Sequence, residues 1–373
     1  MDEIPLWQDR LQREDLDAVA AALRSGWLTM GPRVADCEAA VAEGLGRSHA
    51  VLVSSPTAAL HLALAGMGLG PGDEVVVSAL APPAVAAAAR DAGARAVVAD
   101  IRGEGDLGID PDAVAAAIGR RTRAVIVSHP AGYPAEVEAV AALCAERGLP
   151  LVEDACEAPL ATTAGGRRCG AVGAAAALGF APGSVLAAGR AGLLATDDAA
   201  LADRARLLRS HGMTSGSWSR HTGQTAGYDV VALGFNHRPD EPRAALVTSR
   251  WRRLEAEVGE RRELTWAYRA ALEPLAPALR PAFAEAAVGR SSCAAMVVLL
   301  GDARRRDEVR RSLLAVGRVR TGTLPAAPAD GAPRARQALR AALALPLLPA
   351  LGAAGVERVV GALAAALPAA RAR

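Results

Sequence analysis

Short apolar runs alternate with helix-period stretches between about Val51 and Thr196. The runs are AVLVS (50–54), EVVVSA (74–79), RAVVAD (95–100), RAVIVSH (123–129), LPLVEDA (149–155), AAALGF (175–180) and GLLATD (192–197). Continuous Val, Ile, Leu and Ala bounded by Gly, Pro or charge predict strands buried on both faces. Between them lie helix-period segments such as TAALHLALAGMG and PAEVEAVAALCAERG, the latter with Glu136 in its first turn and Gly148 as a C-cap. This alternation predicts an α/β fold with a mostly parallel sheet sandwiched by helices. Ligands of such sheets bind beyond the carboxyl ends of the strands. The residues to watch are therefore Ser55, 79–83, His129, 154–157 and 180–184.

The pattern changes after the seventh run. HGMTSGSWSRHTGQTAGYD (211–229) has no periodicity and reads as a functional or mobile loop. One long helical segment is expected from Pro242 to about Leu272. CAAMVVLLG (293–301), a charged helix (303–316), GRVRTGTLP (317–325) and a final helix then suggest a smaller α/β domain, with an Ala/Arg tail frayed after Ala364. These segments predict a large domain over residues 1–245 and a small C-terminal one over 246–373.

Composition narrows the function classes. Of the 373 residues 51% are hydrophobic, enough for a sizeable core, and 42 basic against 40 acidic residues leave a net charge of only +2. Interspersed charge of this kind advertises no nucleic-acid or membrane surface. The acidic, polar start MDEIPLWQDR is unlike a secretory leader, so a cytoplasmic protein is expected. Five scattered cysteines without a CxxC pair imply neither a disulfide framework nor a metal site. Most consequential, all 42 basic residues are arginine: the chain has no lysine.

Seven segments in order resemble the DegT/StrS-type nucleotide-sugar aminotransferases, a branch of the fold type I pyridoxal phosphate (PLP) enzymes, over nearly the full length. They are SGWLTMGPRV (25–34), SSPTAALHLAL (54–64), LGPGDEVVV (69–77), LVEDACEA (151–158), RLLRSHGM (206–213), LGFNHRPDEPRAAL (233–246) and LALPLLP (343–349). The resemblance implies a fold type I aminotransferase architecture, assembled as a two-fold dimer. It also places the family's imine-forming lysine at Ser184. A hydroxyl cannot form that imine. By the same correspondence Pro56 replaces a phosphate-binding Gly, Gly179 replaces a phosphate-binding Ser, and ALAPPAV offers no ring-stacking aromatic.

Other positions keep their chemistry. The resemblance matches Asp154 to the carboxylate that pairs with the pyridine nitrogen, and Asn236 with Arg238 to residues reaching the partner subunit's site. Glu157 lies near Asp154, and two neighbouring carboxylates in a crevice push one pKa upward, which makes a usable acid. The expected catalytic set is Glu157, Asp154, His129 and Ser184; the expected substrate-binding set is Thr57, Ser55, Arg190, Asn236, His237, Arg238 and His211. These residues point to a PLP-independent lyase or isomerase, using acid/base chemistry for dehydration, isomerisation or cyclisation of a small polar or sugar-like substrate in secondary-metabolite biosynthesis. No cofactor is expected, with pyridoxamine phosphate (PMP) disfavoured. Two other readings stand beside it: a non-catalytic subunit forming a heterodimer with an active aminotransferase, and a PMP-dependent, lysine-free sugar dehydratase. A homodimer is the expected assembly of the first.

Overall fold

The computed structural model describes residues 2–324 and 331–367. Helices α1 (Arg13–Arg24) and α2 (Pro32–Leu45) lead into β1 (His49–Val53), α3 (Pro56–Gly66), β2 (Glu74–Ser78), α4 (Pro83–Asp91) and β3 (Arg95–Ala99). A hairpin of β4 (Ile101–Gly103) and β5 (Asp106–Ile109) precedes α5 (Pro111–Ala117), β6 (Thr122–Ser128), α6 (Val137–Glu146), β7 (Leu151–Asp154), β8 (Ala175–Gly179), β9 (Gly192–Thr196) and α7 (Ala199–Arg209). All seven predicted strands form, each within a residue or two, and they make one sheet in the order β1-β9-β8-β7-β6-β2-β3. Pairings from β3 through β8 are parallel, while β9 runs antiparallel to β8 and β1.

Both faces of the sheet are covered because the apolar runs carry no polar alternation. On β2, Val75 and Val77 pack under α3, α4 and α7, with Leu60, Leu64, Val85 and Leu201. Val76, between them, packs on the opposite face with Val114, Val137 and Val140 of α5 and α6. That is the two-residue period of a strand expressed as two separate cores.

The chain continues through α8 (Ser217–His221), α9 (Glu241–Trp251) and α10 (Leu254–Leu272) to a three-stranded antiparallel sheet of β10 (Leu279–Pro281), β11 (Met296–Leu300) and β12 (Ala342–Leu345), with α11 (Arg306–Ala315), α12 (Pro333–Ala341) and α13 (Gly352–Ala366). The stretch Pro349–Ala366 is apolar enough in length and composition to pass for a membrane span, at mean hydropathy 1.2. Here it buries Val356, Val359 and Leu363 in the core it shares with α10.

Three expectations are corrected, and one element is new. The helix expected from Pro242 to Leu272 is broken at Arg252–Arg253, where Arg253 bonds sideways to Asp15 at 2.6 Å and Glu257 at 2.7 Å. Glu136 is the N-cap of α6 rather than a first-turn residue. The β4–β5 hairpin was not anticipated, its run being interrupted by Gly103 and Gly105, both at positive φ. The loop 211–229 contains α8, latched by Trp218 and His221 against Trp27 with ring centroids 5.0 and 4.6 Å apart. Of the expected frayed tail, residues 365–366 are still helical and 368–373 lie outside the described residues.

Candidate functional site

A cavity of about 370 Å³ opens where the carboxyl ends of β7 and β8 meet the N-terminus of α3 and the three-stranded sheet. Its walls are mainly apolar: Pro56, Leu60 and Pro82 on one side, Ala294, Leu345 and Leu347 on the other. The polar groups are few, and they converge: Asp154, Cys156, Glu157 and Ser184, with Thr323 opposite.

Asp154 ends β7 almost fully buried. Its Oδ2 accepts from Ser128 Oγ at 2.9 Å and its Oδ1 from the Cys156 amide at 3.3 Å, so the carboxylate is held from two strand ends. Glu157 accepts the Ala131 N–H through Oε2 at 2.7 Å. Burial pushes its pKa up to about 7; the Ala131 bond opposes this and the nearby Asp154 charge reinforces it. The two carboxyls that the sequence brought together, Asp154 and Glu157, both line the crevice. Cys156 keeps its proton, because burial and Asp154 raise its pKa well above the thiol range.

Gly179 shows why the crevice has this shape. A Cβ there would lie 2.9 Å from both Pro56 Cγ and Cys156 Cβ, so the proline ring and the thiol side chain already take up the space a serine would need. Ser184 follows a turn with Gly183 at φ +80°, and its Oγ is buried with no hydrogen-bond partner among the described residues.

Several expected site residues are placed elsewhere. His129 is corrected: its ring turns into the core, not the crevice, with Nε2 3.2 Å from Glu153 Oε2 and Nδ1 accepting the Ala135 N–H at 3.1 Å. Glu153 in turn accepts from the amides of Gly170, Val172 and Gly173. His129 is therefore part of a buried clip holding the segment before β8. Arg190 is exposed and outside the cavity lining; its carbonyl accepts from Arg243 Nη1 at 2.8 Å. Ser55 is the N-cap of α3, its Oγ taken by the Ala58 amide at 3.1 Å, and Thr57 in the first turn is not among the residues lining the cavity.

Asn236, Arg238 and His211 form a separate, largely exposed cluster. Arg238 donates through Nε to Asn236 Oδ1 at 3.0 Å and through Nη2 to His211 Nε2 at 3.1 Å. His237 points the other way, 3.2 Å from Nδ1 of the buried His61, and burial lowers the pKa of both rings so that one neutral imidazole donates to the other. Sequence reasoning missed the residues that the three-stranded sheet and residues 6–7 bring to the crevice. Only the fold makes them neighbours.

A two-sided sheet, a small antiparallel domain sheet and a crevice with a strand-end aspartate define the architecture of a fold type I aminotransferase. Residues 9–364 match the DegT/DnrJ/EryC1/StrS aminotransferase family, and the chain belongs to that family. It is 37% identical over 270 residues to the spore coat polysaccharide biosynthesis protein SpsC of Bacillus subtilis, covering 72% of this chain and 69% of that protein. The crystal structure of the aminotransferase TlmJ from Streptoalloteichus hindustanus superposes with a TM-score of 0.88 at 34% identity, over 98% of this chain and 99% of that one. DesV of S. venezuelae, solved in complex with a ketimine intermediate, gives a TM-score of 0.88 at 32% identity over 99% and 100%.

These likenesses correct the functional expectation. They point to aminotransferases, and nothing in them supports a lyase, an isomerase, a lysine-free dehydratase or a non-catalytic partner subunit. The expectation of no cofactor is corrected with it, since the structural neighbours include NtdA of Bacillus subtilis with bound PMP and DesV with a ketimine intermediate. The residues present divide that cofactor's requirements. Covalent attachment does not fit: without a lysine no side chain carries a primary amine. Non-covalent holding does fit. Asp154 supplies a fixed carboxylate on the crevice floor, the unpartnered Ser184 hydroxyl a further polar contact, and α3 an N-terminus at the wall, although Pro56 has no N–H to give.

Proposed function

We propose that this chain is a sugar aminotransferase that holds its cofactor in the crevice without a covalent bond. The observation carrying the reading is the family match over residues 9–364, joined to a crevice whose floor is the doubly held carboxylate of Asp154. When bound, PMP supplies the amino group to be transferred and a ring that accepts electrons. Asp154 offers its negative charge to a protonated ring nitrogen. Glu157, with a pKa of about 7, can both give and take a proton at neutral pH, the work a lysine amine would otherwise do. The apolar walls lower the local polarity, which strengthens the contacts that the two carboxyls make with a bound ring. The substrate class is a small sugar bearing a carbonyl carbon that becomes the amine-bearing carbon.

The reading includes a homodimer. Val230, Val231 and Leu233 are 62%, 62% and 95% exposed beside the Asn236–Arg238–His211 cluster, an apolar strip with polar groups next to it that suits a second copy. Five unpaired cysteines agree with a cytoplasmic setting. Purified protein is to be mixed separately with PLP and PMP, then assayed for a retained absorbance band, a rise in melting temperature and the chain mass after borohydride. PMP should stabilise the protein, and borohydride should leave the chain mass unchanged. No stabilisation by either form overturns the reading.

A further inference from the structure

Residues 2–10 run between the two sheets. Ile4 is tied to the small-sheet region by backbone bonds, its N–H to the Arg318 carbonyl at 2.8 Å and its carbonyl to the Arg320 N–H at 2.9 Å. Arg358 holds the Asp2 carbonyl at 2.6 Å. At the other end α1 is fixed to the large-sheet region through the Asp15 contacts with Arg253 and Ser249. The intervening segment crosses the mouth of the crevice, and Leu6 and Trp7 line it.

Trp7 is the only aromatic residue among those lining the cavity. Its indole rests on Gly183, where an added Cβ would lie 3.1 Å from Trp7 Cγ, and Gly183 is followed directly by Ser184. The Gly183 amide reaches Asp9 Oδ1 at 3.5 Å, tying strap and turn together. Trp7 is nevertheless 51% exposed, so it has not spent its surface on the core. An aromatic half in water at the edge of an apolar cavity is suited to cover a ring, either a planar heterocycle or the C–H face of a pyranose.

We infer that Trp7 is a ligand-binding residue: the strap lays its indole over a six-membered ring held between Ser184 and the floor carboxylate of Asp154. The inference rests on the proposed crevice function but adds a contact from a segment outside both sheets. Its ligand chemistry, a flat ring face, is shared by the cofactor's pyridine and the substrate's pyranose.

The test uses the full chain as wild type, W7F and W7A, titrated separately with PMP and with UDP-glucose, following tryptophan fluorescence and ligand retained on ultrafiltration. The expected result is a fluorescence change in the wild type absent from W7A, with W7A binding about tenfold weaker and W7F within about threefold of wild type. Circular dichroism shows whether W7A is folded; if it is not, W7F carries the test by losing the fluorescence change that the wild type shows. Retention of PMP by all three proteins alike, with no Trp7-dependent signal from either probe, overturns the inference and leaves the crevice function standing. A Trp7-dependent response to UDP-glucose alone supports the strap and speaks against the cofactor reading. No response to either probe overturns both.

Discussion

The carboxyl of Glu157 gives a quantitative test of the site without a substrate. Its folded-state pKa is raised to about 7 by burial, against about 4.5 for an unperturbed glutamate. A raised carboxylate pKa means that the folded state resists the charged form, so stability is full below the unfolded pKa and declines as pH rises toward the folded one. A difference of about 2.5 units corresponds to about 3 kcal/mol at 1.36 kcal/mol per unit, reached once pH exceeds 7; at pH 5 the loss is only about 1 kcal/mol. Glu157→Gln removes the titration while its amide oxygen can still accept the Ala131 N–H. The variant should therefore gain about 2 to 3 kcal/mol over wild type between pH 5 and pH 8.5. Urea unfolding at the two pH values, with slopes compared to verify that the same transition is followed, measures this directly. A stability difference between the proteins that is the same at pH 5 and 8.5 would refute the buried, proton-holding glutamate and the proton-transfer role built on it.

Ser184→Lys places an amine at the crevice turn, and borohydride after PLP addition should then fix the cofactor's mass to the variant and not to wild type; an unlabelled variant would remove position 184 from the ring's reach. Gly179→Ser should destabilise by about 1 to 3 kcal/mol because its side chain meets Pro56 and Cys156, and Cys156→Gly, which removes the thiol side chain's two contacts, should relieve part of that cost. Additive effects in that double-mutant cycle would contradict the packing account. Trp218→Ala should release α8 from Trp27 and speed proteolytic nicking within residues 211–229 several-fold, with an unchanged cleavage rate counting against the latch.

Much of the large sheet was legible because its strands are buried on both faces and so appear as unbroken Val, Ile, Leu and Ala runs. The break at Arg252–Arg253 was not, since it has neither Gly nor Pro and depends on Asp15, 238 residues earlier. Strand-end logic pointed to Asp154 and Glu157, which line the crevice, and to His129, whose ring turns into the core. The rule gives position along the sheet, whereas the direction of that ring is decided by Glu153. Trp7 carried no local signal, because the turn it rests on, at Gly183, lies 176 residues further along the chain. The missing lysine on its own reads as the loss of a whole chemistry; the proposed function confines it to the loss of one covalent bond.

Glu153 and Asp154 are consecutive on β7, yet one is sealed in a clip with four donors and the other floors the crevice. Side chains alternate along a strand, so a shift of β7 by one residue would exchange the two carboxylates between faces. The clip would then lose its acceptor and the crevice would lose its held charge together. The orientation of Asp154 is thus secured from behind, by a neighbour that never meets a ligand, and substitutions at Glu153 should be read as lesions of the site even though they lie outside it.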